Sequence, residues 1–290
     1  MSTEQIYKMV TDKVIEKLRE GVCPWVKPWK GGNEVMAMNA ISKKPYSFLN
    51  QMLLGFEGQY LTFNQAKQLG GSIKKGSKSR PVIFWTTGYS TKGEDEDGNP
   101  ITVYHEYSRP VLKYYNVFEI GDIAGIDIKH VESEFTPSNV SPIEAAENVI
   151  TEYATRANLT VERKYCAGAC YRPADDKVVI PIIQQYDMAE EFYSTAFHEL
   201  VHSTGSKQCL DRDLSGLFGS YKYGREELIA EIGSAFCLAR LGMDAQKCFN
   251  NSVAYLQSWI KTISGDPKAI VVAAGKAEKA VNMIFNTHIA

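Results

Sequence analysis

The hexapeptide Phe197-His198-Glu199-Leu200-Val201-His202 restricts the folding of this 290-residue chain more than any other feature. Residues four apart lie on one face of an α-helix, so both imidazoles can reach one metal ion if this stretch is helical. The surrounding pattern predicts a helix from Ala189 to Ser203. Glu199 lies beside the first histidine, where it can act as general base on a metal-bound water. The alternative is a surface helix with two hydrogen-bonded histidines and no metal.

Two histidines alone make an incomplete site, because catalytic zinc commonly has three protein ligands and one open position. A downstream helical pattern offers Glu227, 25 residues after His202, and Glu231 one turn further on. This spacing permits Glu227 to bind the metal while Glu231 hydrogen-bonds the distal nitrogen of a histidine ligand. Tyr223 is a candidate oxyanion stabiliser. The other acids that compete for the ligand position are Glu226, Asp211 and Asp213. Zn²⁺ is the expected cofactor, with Mn²⁺ or another divalent ion as alternatives.

Charge is divided unequally along the chain. Residues 1–92 contain 14 lysines and arginines against 6 acidic residues, whereas residues 93–290 contain 18 against 28. A basic first segment joined to an acidic remainder predicts two functions. A stretch with prolines and serines at 132–141 is the expected linker, which separates a domain at 1–131 from a domain at 142–290.

Hydrophobic periodicity predicts an α+β fold for the whole chain. The first segment combines an amphipathic helix at 3–20 with strands at 80–87, 101–107 and 110–118. The second segment is expected to be mostly helical, with a small sheet built from short strands at 160–166, 169–172 and 177–181.

The first segment also combines cations with aromatic rings, as single-stranded nucleic-acid binding requires. Some of these side chains lie in a proline-rich loop, and others lie in a basic turn that leads into a strand. The candidate DNA-binding residues are Trp25, Lys27, Trp29, Lys30, Lys74, Lys75, Lys78, Arg80 and Trp85. Aromatic residues also favour strands, so the alternative is that such rings simply form the core.

The cysteines and the hydropathy exclude several classes of protein. Six cysteines without a C-x-x-C pair predict reduced thiols rather than a disulfide scaffold. No apolar run approaches the roughly 18–20 residues of a membrane span. The first residues do not combine a basic region with an apolar stretch, so no secretory signal is expected. We therefore expect a cytoplasmic protein without a membrane partner.

Taken together, these motifs resemble those of the ArdC-type antirestriction proteins of conjugative plasmids and mobile elements. The N-terminal part of that family also occurs in plasmid primases of the TraC type. In the first segment the resemblance rests on Pro24-Trp25-x-x-Pro28-Trp29, Lys44-Pro45-Tyr46-x-x-x-Asn50, Thr62-Phe63-x-Gln65-Ala66 and Lys75-Gly76. In the second segment it rests on Ala169-x-Tyr171-x-Pro173-x-x-Asp176, on the histidine motif through Thr204-Gly205, and on Glu226-Glu227-Leu228-x-Ala230-Glu231.

The resemblance implies an N-terminal single-stranded DNA-binding domain and a C-terminal zincin-like metallopeptidase domain of the gluzincin type. It implies that His198, His202 and Glu227 are metal ligands and that Glu199 is the base. It also implies protection of incoming DNA from host restriction during or just after transfer as a single strand.

Three hypotheses follow. In the first, a DNA-binding antirestriction protein carries an active peptidase, which acts on a host restriction protein or another protein substrate. In the second, the same protein uses its metal site for structure or partner binding, without turnover. In the third, the chain is a metallopeptidase whose N-terminal domain recognises a protein substrate rather than DNA.

Overall fold

A computed structural model describes residues 1–26, 36–94, 99–128, 142–216, 220–248 and 253–287. The expected linker at 132–141 lies outside these ranges, as do the candidate DNA-binding residues Lys27, Trp29 and Lys30. The proposed division at this linker therefore stays a prediction.

The first segment begins with an amphipathic helix, as its periodicity predicts. Helix α1 (Thr3–Arg19) starts with a capping box between Ser2 and Gln5. It ends before Gly21, which adopts a left-handed conformation with φ of +79°. The other elements of this segment are β1 (Met38–Asn39), α2 (Phe48–Leu54), β2 (Gln59–Thr62), α3 (Phe63–Gln68), β3 (Ser72–Ile73), β4 (Arg80–Glu94), β5 (Pro100–Glu119) and β6 (Ile123–Ala124).

Four of these strands form a sheet in the order β1-β2-β5-β4. Strand β1 is parallel to β2, and the other neighbours are antiparallel. Strand β2 pairs with residues 117–119, at the end of β5. The rest of β4 and β5 therefore continues beyond β2 as a two-stranded ribbon.

The ribbon contains one bulge, which explains a difference from the prediction. Strand β5 is continuous where two strands, at 101–107 and 110–118, were expected. Residues 107–110 oppose the single residue Thr87, because pairing resumes with Thr86↔Val111 on one side and Gly88↔Glu106 on the other. The bulge accommodates Pro110, which has no amide hydrogen for a ladder bond. A Cβ atom on Gly88 would lie 2.3 Å from the carbonyl oxygen of His105, so this position requires glycine.

The second segment consists mainly of helices around a small sheet. Its elements are α4 (Pro142–Ala157), β7 (Thr160–Lys164), β8 (Cys170–Arg172), β9 (Lys177–Pro181), α5 (Ala189–Ser203), α6 (Tyr221–Arg240), α7 (Ala245–Cys248), α8 (Val253–Ser264) and α9 (Ala269–Ile284). The sheet order is β7-β9-β8, with β7 parallel and β8 antiparallel to β9. The predicted helix at 189–203 is confirmed as α5.

Helices α5 and α6 approach each other closely at Gly233. A Cβ atom at this position would lie 2.7 Å from Cγ2 of Val201, so a larger residue would push the helices apart. Gly233 and Val201 are both buried. This contact fixes the spacing of the two helices that carry the histidines and the candidate carboxylate ligands.

The described parts of the two segments share one hydrophobic core. Phe48 of α2 stacks on Phe236 of α6, with ring centroids 3.5 Å apart. Trp25 meets Trp259 of α8 edge to face, with centroids 6.2 Å apart. The Thr11 hydroxyl of α1 donates a 2.8 Å hydrogen bond to the carbonyl of Pro267. Packing of the first segment thus contributes directly to the position of α6.

Two further expectations can be compared with this fold. The α+β class is confirmed, and the six cysteines, all within the described residues, are free thiols. Among the described helices, none combines the length and the apolar character that crossing a membrane requires.

Candidate metal centre

The two histidines of α5 converge on one point. Nε2 of His198 lies 3.1 Å from Nε2 of His202, and the ring planes are 74° apart. The other side of α5 is fixed in the core by Phe197, Leu200 and Val201, which are fully buried. Because burial of these side chains prevents rotation of the helix, it also keeps both imidazoles directed toward the same place.

Helix α6 brings the carboxylate of Glu227 to this point. Its oxygens lie 3.5 Å from Nε2 of His198 and 3.4 Å from Nε2 of His202. A tetrahedral ion with zinc-like bond lengths of about 2.0–2.1 Å separates its donor atoms by about 3.4 Å. The three observed separations suit one small cation. Among the described residues, His198, His202 and Glu227 form a group whose ligand atoms all lie within 4.8 Å of one another.

Two further carboxylates lie beside the Nδ1 atoms of the imidazoles. Oε1 of Glu226 lies 3.2 Å from Nδ1 of His202. A carboxylate accepts, so Nδ1 carries the proton and the lone pair of neutral His202 is on Nε2, facing the centre. Glu231 lies on the corresponding side of His198, with Oε1 3.7 Å from Nδ1. This is an ion-pair distance and longer than a direct hydrogen bond. Glu226, rather than Glu231, thus makes the direct hydrogen bond to a histidine.

Arg212 holds Glu226 in this position. Its guanidinium group donates to both Glu226 oxygens, at 2.8 Å from Nη2 and 3.1 Å from Nε. It also donates to the Val201 carbonyl and the Thr204 hydroxyl, each at 2.7 Å. The Arg212 side chain is only 4% exposed. This buried arginine therefore joins the end of α5 to the start of α6 and, through Glu226, fixes the ring of His202.

The clustered carboxylates change the ionisation of the site. Burial alone lowers the pKa of His202, but hydrogen bonds to Glu226 and Glu227 outweigh burial and raise the pKa to about 9. Burial raises the pKa of Glu227, yet hydrogen bonds from His198 and His202 hold it well below its usual range. The pKa of Glu231 is raised, chiefly because it is buried. The surroundings thus favour positive charge between the histidines and Glu227.

Glu199 is held from the other side by strand β8. The backbone amide of Tyr171 donates a 2.7 Å hydrogen bond to Oε2 of Glu199. The Tyr171 hydroxyl donates to Oδ1 of Asp176, also at 2.7 Å, across the turn between β8 and β9. Asp176 has a positive φ of +44°, which that turn requires. The Tyr171-to-Asp176 motif therefore has a local role, since it fixes the strand that positions the candidate base.

A cavity of about 330 Å³ opens over the centre. His198, Glu199, His202 and Glu227 line it, together with Cys170 and Tyr223, as part of a larger set of lining residues. Tyr223 lines the same cavity as the candidate ligands, and its oxyanion role stays a prediction.

The other acids that were considered as metal ligands do not contact both Nε2 atoms. Asp213 lines the cavity, but its carboxylate forms a 2.8 Å ion pair with Lys222 and accepts a hydrogen bond from Ser215. Asp211 is exposed. Glu226 accepts hydrogen bonds from Arg212, as described above. Of the acids considered from the sequence, Glu227 alone has its oxygens close to Nε2 of both histidines within the described residues.

Both segments of the chain match known proteins. Residues 4–118 match the family model described as the N-terminal domain of anti-restriction factor ArdC. Residues 144–276 match a zincin-like metallopeptidase model, MPTase-PolyVal. The metal-free crystal structure of antirestriction ArdC protein from plasmid R388 superposes with a TM-score of 0.68 at 29% identity, covering 98% of this chain and 99% of that one. This chain belongs to the ArdC antirestriction family.

Other relatives extend the comparison. The Mn(II)-bound structure of the same R388 protein has a TM-score of 0.71 at 28% identity and covers 97% of both chains. Two proteins named DNA primase TraC from Escherichia coli are 34% and 31% identical over 291 and 294 residues. The chain spans only 19% and 27% of their lengths. An uncharacterised protein from Sinorhizobium fredii, y4eC, is 29% identical over 286 residues, which is 94% of this chain and 89% of y4eC.

The structure contradicts the predicted DNA-binding role of Trp25. Trp25 is 1% exposed and packs edge to face against Trp259. A nucleic-acid base stacks on an accessible ring face, so Trp25 is a core residue and not a stacking platform. The neighbouring lysines and prolines predict an exposed loop. Burial of Trp25 gives no local sequence signal, because its partner lies more than 200 positions away in the sequence.

The basic turn before β4 is exposed, but its residues differ in their contacts. Arg80 donates to the Leu54 carbonyl at 2.8 Å and to the Tyr60 hydroxyl, and its guanidinium group lies over the Tyr60 ring. Arg80 therefore contributes to the base of the ribbon. Lys74 donates to the carbonyl of Gly121 at 2.7 Å. The described candidates that are exposed are Lys74, Lys75, Lys78, Arg80 and Trp85, and their DNA contacts stay predictions.

Loss of Arg212 should destabilise the chain strongly. Arg212→Met leaves the Glu226 carboxylate buried without its main partner, and we expect a loss of about 3–5 kcal/mol in the free energy of unfolding. Chemical denaturation followed by circular dichroism measures this.

The matched control is Arg172→Met, which removes an exposed ion pair with Asp175. Exposed pairs contribute about 0–1 kcal/mol, so this variant should unfold almost like the unchanged protein. Equal losses in both variants would contradict the structural role given to Arg212.

Proposed function

We propose that this chain is an antirestriction protein that binds single-stranded DNA and protects incoming plasmid or mobile-element DNA from host restriction. Both halves of the proposal have support. Residues 4–118 match the ArdC N-terminal domain, and the R388 relative is named an antirestriction protein. The TraC relatives are named DNA primases, and primases act on DNA.

We infer further that His198, His202 and Glu227 bind a divalent cation, and that Zn²⁺ is the native ion. The single observation that carries this inference is the convergence of two Nε2 atoms and one carboxylate at 3.1–3.5 Å from one another. Two imidazoles and a carboxylate suit zinc, and the same donors also accept manganese. The R388 relative has a Mn(II)-bound structure, which supports a divalent ion in this family.

The chain's own residues suit metal-assisted hydrolysis. A bound divalent ion supplies a Lewis acid that acidifies water and polarises a carbonyl. Glu199, held at Oε2 by the Tyr171 amide, takes a proton from the attacking water and passes it to the leaving amine. Glu226 and Arg212 keep the His202 ring in place. Tyr223 lines the cavity, and in this proposal its hydroxyl donates a hydrogen bond to developing negative charge on the carbonyl oxygen.

The protein partner that we propose for the metal centre is a host restriction protein or another protein substrate. The cavity of about 330 Å³ is at the small end of the range of binding pockets, and the Asp213–Lys222 ion pair lies at its wall. These features favour a metal centre that supports structure or partner binding over one that turns over extended peptides.

Metal content tests the ligand assignment. The double variant His198→Ala, His202→Ala should lose bound Zn²⁺, because two of three ligands are removed. Glu199→Gln should retain it, because Glu199 is not a proposed ligand. Elemental analysis of the purified full-length chain after dialysis against zinc measures both.

Glu227→Gln should weaken zinc binding, because it changes the third proposed ligand. The matched control is Glu152→Gln, which changes an exposed carboxylate on α4 and should leave zinc binding unchanged. Full zinc occupancy in the double histidine variant would refute the assignment.

DNA binding is expected to depend on salt. Affinity falls as salt rises, and each phosphate contact steepens the plot of log affinity against log salt by about 0.7 for single strands. Lys75→Gln and Lys78→Gln should each reduce that slope and weaken binding at low salt, as measured by fluorescence anisotropy. Lys276→Gln, an exposed lysine on α9, is the control. Affinity that does not change with salt would exclude phosphate contacts.

Antirestriction should survive the loss of the base. We expect Glu199→Gln to protect incoming DNA as well as the unchanged protein, whereas the double histidine variant loses protection because its metal centre is disrupted. The measurement is the ratio of plasmid transfer into restricting and non-restricting recipient cells. Loss of protection in Glu199→Gln, with zinc still bound, would show that peptide hydrolysis is the mechanism.

A further inference from the structure

The β4–β5 ribbon carries a line of aromatic side chains on one face. Phe84 and Tyr115 stack with ring centroids 4.6 Å apart and planes 9° apart. Lys113 is paired with Phe84 across the two strands, so it lies on the same face. This half of the ribbon therefore presents a stacked ring pair with an ammonium group directly beside it.

The outer half of the ribbon continues the same line. Tyr89 stacks on His105 with centroids 4.9 Å apart, and it contacts Tyr107 at 5.5 Å. The Lys113 ammonium lies 5.4 Å from the Tyr107 ring centroid and donates a hydrogen bond to its hydroxyl. Lys113 thus connects the two halves across the bulge. We call this set the ribbon stripe: Phe84, Tyr89, His105, Tyr107, Lys113 and Tyr115.

Two of the five rings in the stripe are exposed, and the other members of the stripe are half-buried. Tyr115 is 52% exposed and Tyr89 is 46% exposed. A contiguous surface of exposed rings marks a binding site more often than a single exposed hydrophobic residue does. Neighbouring residues alternate in direction along a strand, so Trp85 and Tyr104 belong to the opposite face. The stripe therefore does not include Trp85, which is one of the candidate DNA-binding residues predicted from the sequence.

The chemistry of the stripe suits single-stranded DNA. Exposed ring faces stack with bases of any sequence, and cations between them neutralise phosphates. Lys113 lies in the middle of the stripe, and the basic turn with Lys74, Lys75 and Lys78 leads into its β4 end. Tyr115 and His105 pair with Val82 and Tyr89, and over these seven steps β4 rises about 23 Å, which is enough for several nucleotides. A purely apolar partner would leave Lys113 without a counter-charge.

We propose that the ribbon stripe is the base-stacking surface for single-stranded DNA. The identity of the ligand rests on the proposed function. The assignment of a surface and of a mode of contact goes beyond that function. The bases stack on the rings of Tyr115, Tyr89 and Tyr107, and the Lys113 ammonium contacts the phosphate backbone.

The test uses the full-length chain, with a labelled thymidine oligonucleotide of about 15 nucleotides and an abasic strand of the same length. Tyr89→Leu and Tyr115→Leu should each weaken binding to the thymidine strand by about 5- to 100-fold, the loss of one stacked base. Their binding to the abasic strand should not change, because the phosphate contacts are kept. Fluorescence anisotropy measures all of these affinities.

Control variants separate stacking from folding. Tyr89→Phe and Tyr115→Phe keep the ring and should bind as tightly as the unchanged chain. Tyr104→Leu removes an exposed ring from the opposite face, and Tyr165→Leu removes one that is 83% exposed in the second segment. Both should retain full affinity. A loss in Tyr104→Leu equal to that in Tyr89→Leu would overturn the assignment to this face.

The outcomes also distinguish the two proposals. The unchanged chain can bind the thymidine strand in a salt-dependent way while the leucine variants bind it equally well. In that case the assignment of base stacking to the stripe is wrong, and the proposed DNA binding stands. If the unchanged chain binds thymidine and abasic strands equally, stacking is excluded. If it binds neither strand, both the proposed DNA binding and this inference fail.

Discussion

The distance between α5 and α6 determines whether this chain has a metal centre at all. A steric contact and an ionic contact set that distance. Gly233 lets α6 approach Val201 without a side chain between the helices, at the usual cost of about 0.5–1 kcal/mol for glycine within a helix. Arg212 joins the end of α5 to Glu226 near the start of α6. Between these points the Glu227 carboxylate comes within 3.5 Å of both histidines.

Helix α6 has two functions because its two sides face different parts of the chain. One side presents Glu226, Glu227 and Glu231 to the histidines. Further along, Phe236 stacks on Phe48 from the first segment. Cys23 is also buried close to Glu231, whose charge adds to burial in raising the pKa of the Cys23 thiol. The segment with the candidate DNA-binding surface is therefore also part of the packing behind the metal centre.

Periodicity in the sequence predicted the parts of the site that lie on helices. The one-turn spacing of His198 and His202 and the helical pattern around Glu227 were sufficient to bring the candidate ligands together. Arg212 was missed, because it lies in a loop and its bond to Glu226 is a tertiary contact without a periodic signal. The pairing of Trp25 with Trp259 was missed for the same reason. The continuous β5 strand was missed because a bulge at Thr87 accommodates Pro110, which by itself indicates a break.

The charges around the histidines also indicate which kind of substrate the centre can accept. Glu199, Glu226, Glu227 and Glu231 surround it, whereas Arg212 is the single arginine bound directly to this cluster within the described residues. A divalent ion would not fully offset these carboxylates, so a phosphodiester backbone would be repelled from the cavity. A neutral amide or an ammonium group would not be repelled. The ribbon stripe contains the Lys113 ammonium group and no carboxylate. This difference in charge agrees with our proposals of DNA at the ribbon and a protein group at the metal centre.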